Sequence, residues 1–331
     1  MPDLNIPVKI LGIGRYLPER RVSNEELARL CGRSAHWIEE RNGVRERRYK
    51  SFETNAFMGA RAAENALADA DVGLNDIDLI LNASGTAQQS IPDNAVFIQR
   101  ELGERAAGTA AMTLHATCLS FLAGFDLAAS LLLARRYRTI LLISSDIASV
   151  ALNPEEAESF SLFGDGAAAV VLSLAEGESS GLHRAAFKTF SEGAELTTVR
   201  GGGTQFHPNA KMTRAEDNLF HMDGLAVLRL VRRHAQDFLE GLEPGLSAGL
   251  GAINLVIPHQ ASKVGLRSLE RYNWPREKIV ETLSFLGNCI SASLPLTLYE
   301  AIKSGRLERG DRFLMVGTGA GLSMGGLILT Y

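Results

Sequence analysis

Cys118 is the residue whose type and surroundings most directly suggest covalent chemistry. It lies in LHATCLSF, where a strand-like run gives way to apolar residues at helical spacing. A thiol at a helix start meets the positive end of the helix dipole, which lowers its pKa and favours the thiolate. A reversible acyl acceptor uses such a thiol, and the alternative is a buried structural cysteine.

Two polar residues in the second half of the chain are candidates for proton transfer or hydrogen bonding. His259 lies in VIPHQAS, directly after the apolar run 255–257, and α/β folds place functional groups at the ends of such strands. A histidine there donates a proton or a hydrogen bond near neutral pH, unless it is an ordinary surface histidine. Asn288, in FLGNCISAS, either caps a helix or donates its amide to an oxyanion.

A tryptophan among arginines is a candidate contact for a ring and phosphates. Trp37 stands in HWIEERNGVRERR, which contains Arg41, Arg45, Arg47 and Arg48. The pattern suits a nucleotide-bearing thioester, and the alternative is a solvated turn balanced by the neighbouring glutamates.

A glycine-rich segment, VGTGAGLSMGG, lies near the end of the chain, but a strand-like run follows its first glycines. Dinucleotide binding needs a helix there, so we expect a backbone that approaches a ligand closely.

The chain repeats itself, and the repeat predicts the elements that position these residues. Residues 118–146 and 289–317 each contain a cysteine, an amphipathic helix, a basic turn and a strand, which aligns Cys118 with Cys289. Residues 73–85 resemble 249–261 in the same order. We expect two similar α/β halves, 1–175 and 176–331, that share a site. Residues 183–235 show no counterpart and predict a loop-rich insertion that covers the site.

Composition excludes several classes of protein. The chain has 331 residues, of which 46% are apolar and 22% charged, with a net charge of −4. These values exclude a disordered or coiled-coil chain and give no reason to expect nucleic-acid or membrane binding. Three cysteines fit a reducing compartment. The apolar stretch 119–134 is interrupted by Asp126 and is too short to span a bilayer, so we expect a cytoplasmic protein.

In this order the segments resemble β-ketoacyl-[acyl-carrier-protein] synthase III, a family of condensing enzymes in the thiolase superfamily. The resemblance covers essentially the whole chain, including GIGRYLPERRVSNEEL, WIEERNGVRERR, LFGDGAAAVVL, VIPHQAS and GNCISAS. It implies a duplicated thiolase-like α/β fold, with two βαβαβαββ halves in αβαβα layers, and a homodimer. It implies no metal and no cofactor beyond thioesters of coenzyme A or acyl carrier protein.

The resemblance assigns catalysis to Cys118, His259 and Asn288, and thereby separates Cys118 from Cys289. It implies a decarboxylating Claisen condensation. Cys118 accepts an acyl group from acyl-CoA or acyl carrier protein, and the enolate of a malonyl thioester attacks the acyl-cysteine. Backbone N–H groups of Cys118 and Ala320 would hold the oxyanion of the first step. His259 and Asn288 would donate to the enolate oxygen.

The resemblance also implies contacts with substrates, and several of these positions depart from the family pattern. Coenzyme A would contact Trp37, Arg41, Gly224 and Ser262. The acyl pocket would include Ile91 and Leu228, and the carrier protein would contact Lys263 and Arg267. Val150 stands where the family has an arginine, and Ser262 where it has an asparagine. Ile91, which would reach across the dimer, and Leu228 align near phenylalanines. The smaller aliphatic side chains predict a larger or differently shaped acyl chamber.

Three alternatives to this condensation remain. An acyltransferase on the same fold would move the acyl group to an alcohol or amine, and Asn288 would then be unnecessary. A head-to-head condenser of long acyl chains would use a carboxylate near Cys118, where TAQQSIPDN offers Asp93 as its only acid. A non-catalytic acyl-binding scaffold would not need the three candidate catalytic residues.

Overall fold

Strands and helices alternate along the chain in the computed structural model, which describes residues 3–331. The strands are β1 (Val8–Tyr16), β2 (Arg21–Ser23), β3 (Glu46–Arg48), β4 (Leu79–Asn82), β5 (Ala110–Thr113), β6 (Thr139–Asp146), β7 (Gly166–Leu174), β8 (Gly181–Thr189), β9 (Thr197–Thr198), β10 (His221–Met222), β11 (Leu255–Pro258), β12 (Arg312–Gly319) and β13 (Ser323–Thr330). The helices are α1 (Asn24–Cys31), α2 (Ala35–Asn42), α3 (Asn55–Ala70), α4 (Asn94–Glu101), α5 (Ser120–Leu133), α6 (Ala157–Phe160), α7 (Gly224–Leu242), α8 (Lys263–Arg267), α9 (Leu283–Leu286) and α10 (Ser293–Lys303).

The two main sheets have the same strand order, as a duplicated fold requires. The first sheet runs β1-β7-β6-β4-β5 and the second runs β8-β13-β12-β11. In each, one parallel pair (β4 with β6, β11 with β12) continues into antiparallel neighbours. A single parallel bridge between Val256 and Ile279 stands where the first sheet has β5. The duplication predicted from the sequence is confirmed.

Apolar faces stack these elements into five layers. Phe121 and Phe125 of α5 and Leu294 and Leu298 of α10 belong to one core cluster with residues of both sheets, so α5 and α10 lie between the sheets. The helix α3 covers the outer face of the first sheet and α7 covers that of the second. The αβαβα arrangement is confirmed.

The two halves align differently from the sequence comparison at the cysteines. The N–H of Ala116 donates to the Ser120 hydroxyl at 2.9 Å, and the N–H of Cys289 donates to the Ser293 hydroxyl at 2.9 Å. Ala116 therefore corresponds to Cys289, and Cys118 corresponds to Ser291. The alignment of Cys118 with Cys289 was wrong by two residues, because it matched two cysteines that occupy different positions in the two halves.

Residues 183–235 do have a counterpart in the first half, contrary to the sequence analysis. The strand β8 matches β1 at the edge of its sheet, and α7 matches α3 as the outer helix. Only the stretch 190–223 between them is irregular, with β9 and β10 as its strands. The proposed division between residues 175 and 176 falls between β7 and β8.

Glycines allow α3 to pack directly against β1. A Cβ atom on Gly14 would lie 2.2 Å from the Ala66 nitrogen, and one on Gly12 would lie 2.4 Å from the Ala70 nitrogen. Both neighbours are helix backbone, which cannot move aside as a flexible side chain can.

We expect Gly14→Ala to lower the free energy of unfolding by about 2 kcal/mol or more, because overpacking forces the helix away from the strand. Gly249→Ala is the matched control, since no atom lies within 4 Å of its added methyl group, and should change stability by about 0.5 kcal/mol at most. Urea denaturation followed by circular dichroism measures both. Equal midpoints for the two variants would contradict the packing argument.

Candidate active site

Cys118 lies in the turn between β5 and α5, where the chain enters the layer between the sheets. It belongs to a 3₁₀ turn, Thr117–Leu119, that leads into α5. The buried Phe121 and Phe125 hold the helix in place behind it. The backbone N–H groups of Ala320 and of Cys118 itself lie near the thiol and act to lower its pKa. Both predicted oxyanion donors are therefore close to the sulfur.

The thiol pKa corrects the expectation of a resting thiolate. Burial raises the pKa of Cys118 to about 12, and the negative charge of the nearby Asp146 adds to this rise. The two backbone N–H groups oppose the shift without cancelling it. Cys118 is therefore a protonated thiol at neutral pH in the resting site.

His259 follows β11 and is held in a neutral state. Its backbone N–H donates to the Val316 carbonyl at 2.8 Å, which continues the pairing of β11 with β12. Burial lowers the pKa of its imidazole to about 4. Nδ1 is buried without a hydrogen-bond partner among residues 3–331. Since a buried N–H without an acceptor is costly, the ring proton belongs on Nε2, the nitrogen available to a substrate.

The side chain of Asn288 both caps a turn and presents a donor. Its Oδ1 accepts from the Ile290 N–H at 2.9 Å and from the Ser293 hydroxyl at 3.4 Å. These contacts orient the amide, so Nδ2 points the other way and donates to the Ala261 carbonyl at 3.4 Å. The amide has a second N–H, which is left for a ligand.

Two cavities meet around His259. The inner cavity, of about 590 Å³, is lined by Cys118, His259, Asn288 and Ala320 among others. The outer cavity, of about 1080 Å³, is lined by Trp37, Arg41, Gly224, Ser262 and Leu228 among others. Residues common to both are Glu195, Met222, Val227, His259, Ala261 and Thr318. A substrate arm in the outer cavity can therefore reach the sulfur.

Several predicted contact residues differ in position from the expectation. Leu228 lines the outer cavity but not the inner one, whereas its neighbour Val227 lines both. Ile91 is 84% exposed and lines neither cavity. Arg47 is fully buried and donates to the carbonyls of Val22 and Ser161. It therefore supports the fold and is not part of an exposed basic cluster.

The other basic candidates are Lys263, Arg41 and Arg267, and they differ in whether their side chains already have a hydrogen-bond or ion-pair partner. Lys263 donates to the Glu40 carbonyl at 2.7 Å, which joins α8 to α2. Arg41 pairs with Glu158 at 2.9 Å. Arg267 is exposed and has no side-chain partner among residues 3–331.

Two further residues near the sulfur, His115 and Asp146, did not stand out in the sequence. His115 lines the inner cavity, with its Nε2 3.2 Å from the Gly85 carbonyl oxygen. Its position three residues before Cys118 was the available signal. Asp146 is fully buried at the end of β6, and burial raises its pKa to about 6. A carboxylate at a strand end gave no sign of its contacts with the other half.

Within residues 3–331, no group of three or more histidine, cysteine or acidic side chains is arranged to hold a metal ion. Over the same residues, no helix is long and apolar enough to cross a membrane.

The raised thiol pKa predicts a steep pH dependence of alkylation. Because the thiolate is the nucleophile, the rate of iodoacetamide reaction at Cys118 should rise about tenfold per pH unit from pH 6.5 to 9.5. Mass spectrometry of the Cys118 peptide gives this rate, with Cys118→Ala identifying reaction elsewhere. A plateau below pH 8 would contradict the shift.

Comparisons with known proteins show which family the chain belongs to. Profiles described as 3-oxoacyl-[acyl-carrier-protein] synthase III and as its C-terminal part match residues 112–192 and 247–331. A β-ketoacyl-[acyl-carrier-protein] synthase III of Aquifex aeolicus is 32% identical over 98% of this chain and 99% of its own. One from Bacillus cereus is 33% identical over the same shares.

Solved structures give the same result. The crystal structure of 3-oxoacyl-[acyl-carrier-protein] synthase III from Aquifex aeolicus has a TM-score of 0.87 at 31% identity, over 98% of this chain and all of its own. The chain therefore belongs to the β-ketoacyl-[acyl-carrier-protein] synthase III family, thiolase-fold acyltransferases that condense an acyl thioester with a malonyl thioester.

Proposed function

We propose that Cys118, His259 and Asn288 catalyse this decarboxylating condensation, with no metal and no cofactor beyond the thioester substrates. One observation supports the assignment above others. The three side chains, distant along the chain, line the same inner cavity together with Ala320. The outer cavity leads to them, and Trp37, Gly224 and Ser262 on its wall would contact the arm of the thioester.

In the first step Cys118 takes the acyl group. Its sulfur attacks the thioester carbonyl, and the N–H groups of Cys118 and Ala320 stabilise the oxyanion. The bond between the acyl carbon and the carrier sulfur then breaks. The thiol proton ends on the departing carrier thiol, so no net charge remains in a cavity whose burial disfavours a free thiolate.

In the second step a malonyl thioester enters. Its thioester oxygen accepts hydrogen bonds from His259 Nε2 and Asn288 Nδ2 while the bond to the carboxylate breaks and carbon dioxide leaves. The enolate carbon attacks the acyl-cysteine carbonyl and the bond to Cys118 breaks. The departing thiolate takes up one proton from solvent, so the reaction consumes one proton as the carboxylate is lost. Neutral donors fit this step because the negative charge reaches the oxygen only as the bond breaks.

Asn288→Ala should separate the two steps. We expect normal acylation of Cys118, because Asn288 takes no part in it, and condensation slowed by about 10²–10³-fold, as for loss of one oxyanion donor. Intact mass follows acylation, and carbon dioxide release follows condensation with malonyl acyl carrier protein. Cys118→Ala, which should gain no acyl mass, is the reference. Equal condensation in wild type and Asn288→Ala would refute the assigned role.

The inner cavity supports an acyl group longer than acetyl. Its volume of about 590 Å³ lies in the range of pockets for drug-sized ligands, and a two-carbon group would leave most of it empty. Much of its wall is apolar, including Ile147, Leu152, Phe206 and Phe220, although polar and charged side chains such as Glu195 and Arg200 also line it. We therefore propose a medium-length acyl chain.

Two neighbouring substitutions test this chamber. Val227→Phe adds volume at the wall of both cavities and should shift acylation of Cys118 from octanoyl toward acetyl donors by about tenfold, the scale set by loss of apolar contacts. Leu228→Phe adds the same ring at a wall of the outer cavity alone and should leave the chain-length ratio unchanged. Intact mass after incubation with a donor panel measures both. Identical ratios in the two variants would contradict the proposal.

The alternatives from the sequence receive less support. Acyl transfer to an alcohol or amine has no use for the oriented donor of Asn288, and discharge of the acyl-enzyme onto an alcohol without carbon dioxide would favour it. Head-to-head condensation needs a carboxylate near the sulfur. Asp93 instead accepts from the Ala95 N–H at 3.0 Å as the cap of α4, and it does not line the inner cavity. Asp146 lies near the sulfur but accepts hydrogen bonds from three backbone N–H groups. Glu195 lines the inner cavity, and this alternative would depend on it.

We also propose a homodimer in the cytoplasm that accepts acyl-CoA or acyl carrier protein as donor, with Lys263 and Arg267 near the carrier. The exposed Ile91 and the exposed edge strand β5 are consistent with a subunit contact. The three cysteines are free, as is usual in a reducing compartment.

A further inference from the structure

We infer that the acyl group selected by the inner cavity ends in a carboxylate, so that the donor is the half-thioester of a dicarboxylic acid, and that Arg200 binds this carboxylate. The inference rests on the proposed function of the same site and specifies its acyl substrate. It follows from the charged side chains that line the inner cavity and from the way in which one of them is held.

Arg200 supplies the permanent positive charge of the inner cavity. Among the described residues that line this cavity it is the only lysine or arginine, and Glu195 is the only acidic side chain. His115 also lines it, but its Nε2 already faces the Gly85 carbonyl oxygen at 3.2 Å. A purely alkyl chain would take water from the guanidinium and offer it no hydrogen-bond acceptor in return, which is unfavourable. The charge therefore calls for an acyl group with an anionic end.

The loop that carries Arg200 is fixed by backbone contacts. The N–H of Gly201 donates to the Asp217 carbonyl at 2.6 Å, and the N–H of Gly202 donates to the Phe206 carbonyl at 3.2 Å. Gly201 and Phe206 also form a parallel bridge. Arg200 therefore extends from a defined backbone, which reduces the entropy lost when a ligand binds to it.

The guanidinium of Arg200 is oriented, yet its donors are free. Its carbon lies 3.9 Å from the centroid of the Phe206 ring, which is buried in the wall of the inner cavity. Nη1 is 3.7 Å from Oδ1 of Asp217, an ion pair longer than a hydrogen bond, and Oδ2 of Asp217 accepts from the Arg214 N–H at 2.8 Å. Among residues 3–331 no acceptor takes a hydrogen bond from this guanidinium. Its fork of N–H groups can therefore bind a carboxylate through two parallel hydrogen bonds.

Glu195 restricts where an anionic group is tolerated. It lines both cavities and so lies at their junction, whereas Arg200 lines only the inner one. Repulsion at the junction and attraction beyond it both favour a terminal carboxylate on the Arg200 side. A terminal ammonium group would meet the reverse arrangement, attracted to the junction and repelled by Arg200.

The apolar residues of the same cavity suit the methylene groups of such a chain. Ile147, Leu152 and Phe220 line it together with Arg200. The transfer itself is that of the proposed function: the carbon–sulfur bond of the donor breaks as that of Cys118 forms, and the thiol proton ends on the departing thiol. The terminal carboxylate keeps its charge and takes no part in bond formation, so Arg200 determines specificity.

The first experiment pairs donors of equal chain length that differ only at the far end. Succinyl with butyryl, adipoyl with hexanoyl and suberoyl with octanoyl groups, each on CoA and on acyl carrier protein, are compared by the rate of mass gain at Cys118. We expect the carboxylated member to react about tenfold faster in at least one pair, the scale of hydrogen bonds between charged groups. A carboxylated member that is faster in no pair would overturn the inference. Failure of every donor on both carriers would instead refute the proposed function.

The second experiment tests the charge of the terminus at the chain length with the largest advantage. The methyl ester of the same acyl group is neutral at its far end, and the amino-terminated acyl group of equal length is positive. Both should react about tenfold more slowly than the carboxylated donor, because neither offers Arg200 a carboxylate. Either one reacting as fast as the carboxylated donor would overturn the inference.

The third experiment changes the arginine. Arg200→Gln should lower the ratio of carboxylated to alkyl rates about tenfold, and Arg200→Lys, which keeps the charge and loses the fork, should retain part of it. Arg214→Gln is the matched control, since Arg214 is exposed in the same irregular stretch and lines neither cavity. A ratio of rates within one variant does not depend on how much of the protein folds. A ratio that falls equally in Arg200→Gln and Arg214→Gln, or in neither, would overturn the role of Arg200.

Discussion

The buried carboxylate of Asp146 joins the two halves close to Cys118. Asp146 accepts from the N–H groups of Gly85 and Thr86 at 2.8 and 2.7 Å in its own half. Across the interface it accepts from the N–H of Ala292 at 3.0 Å. A buried charge is tolerated only when it is well bonded, so this carboxylate fixes the turn after β4 against the start of α10. Since Cys118 comes from one half and Asn288 from the other, their spacing depends on this junction and on the backbone hydrogen bonds that join Asn288 to Leu162 and Gly164.

The same enclosure decides which protonation states the site prefers. Burial raises the pKa of Cys118 to about 12 and lowers that of His259 to about 4, so both groups rest uncharged. The charge of Asp146 adds to the effect on Cys118, which means that the junction holding the site together also disfavours a thiolate. A cavity built from neutral donors stabilises charge that appears during reaction more than charge present beforehand. Such a cavity suits the enolate step better than a mechanism that begins from a charged pair of Cys118 thiolate and His259 imidazolium.

The sequence was sufficient for the duplicated fold and for the inner cavity, because strand ends and helix starts bring Cys118, His259 and Asn288 to one edge of the sheets. The sequence was misleading where residues of the same type occupy different structural positions. The cysteine at 289 suggested a false alignment, and only the serine hydroxyls that bond the chain before α5 and α10 give the true one. The arginine at 47 looked like surface, yet its guanidinium bonds backbone carbonyls in the interior. Such contacts join distant segments and leave no periodic signal.

The connection between the cavities constrains how two carriers can use one site. Six residues, including His259, line both cavities, so an arm that enters through the outer cavity occupies the approach to Cys118 that a second arm would need. In the proposed mechanism the first carrier leaves before the malonyl carrier enters, and the acyl group stays on Cys118 in between.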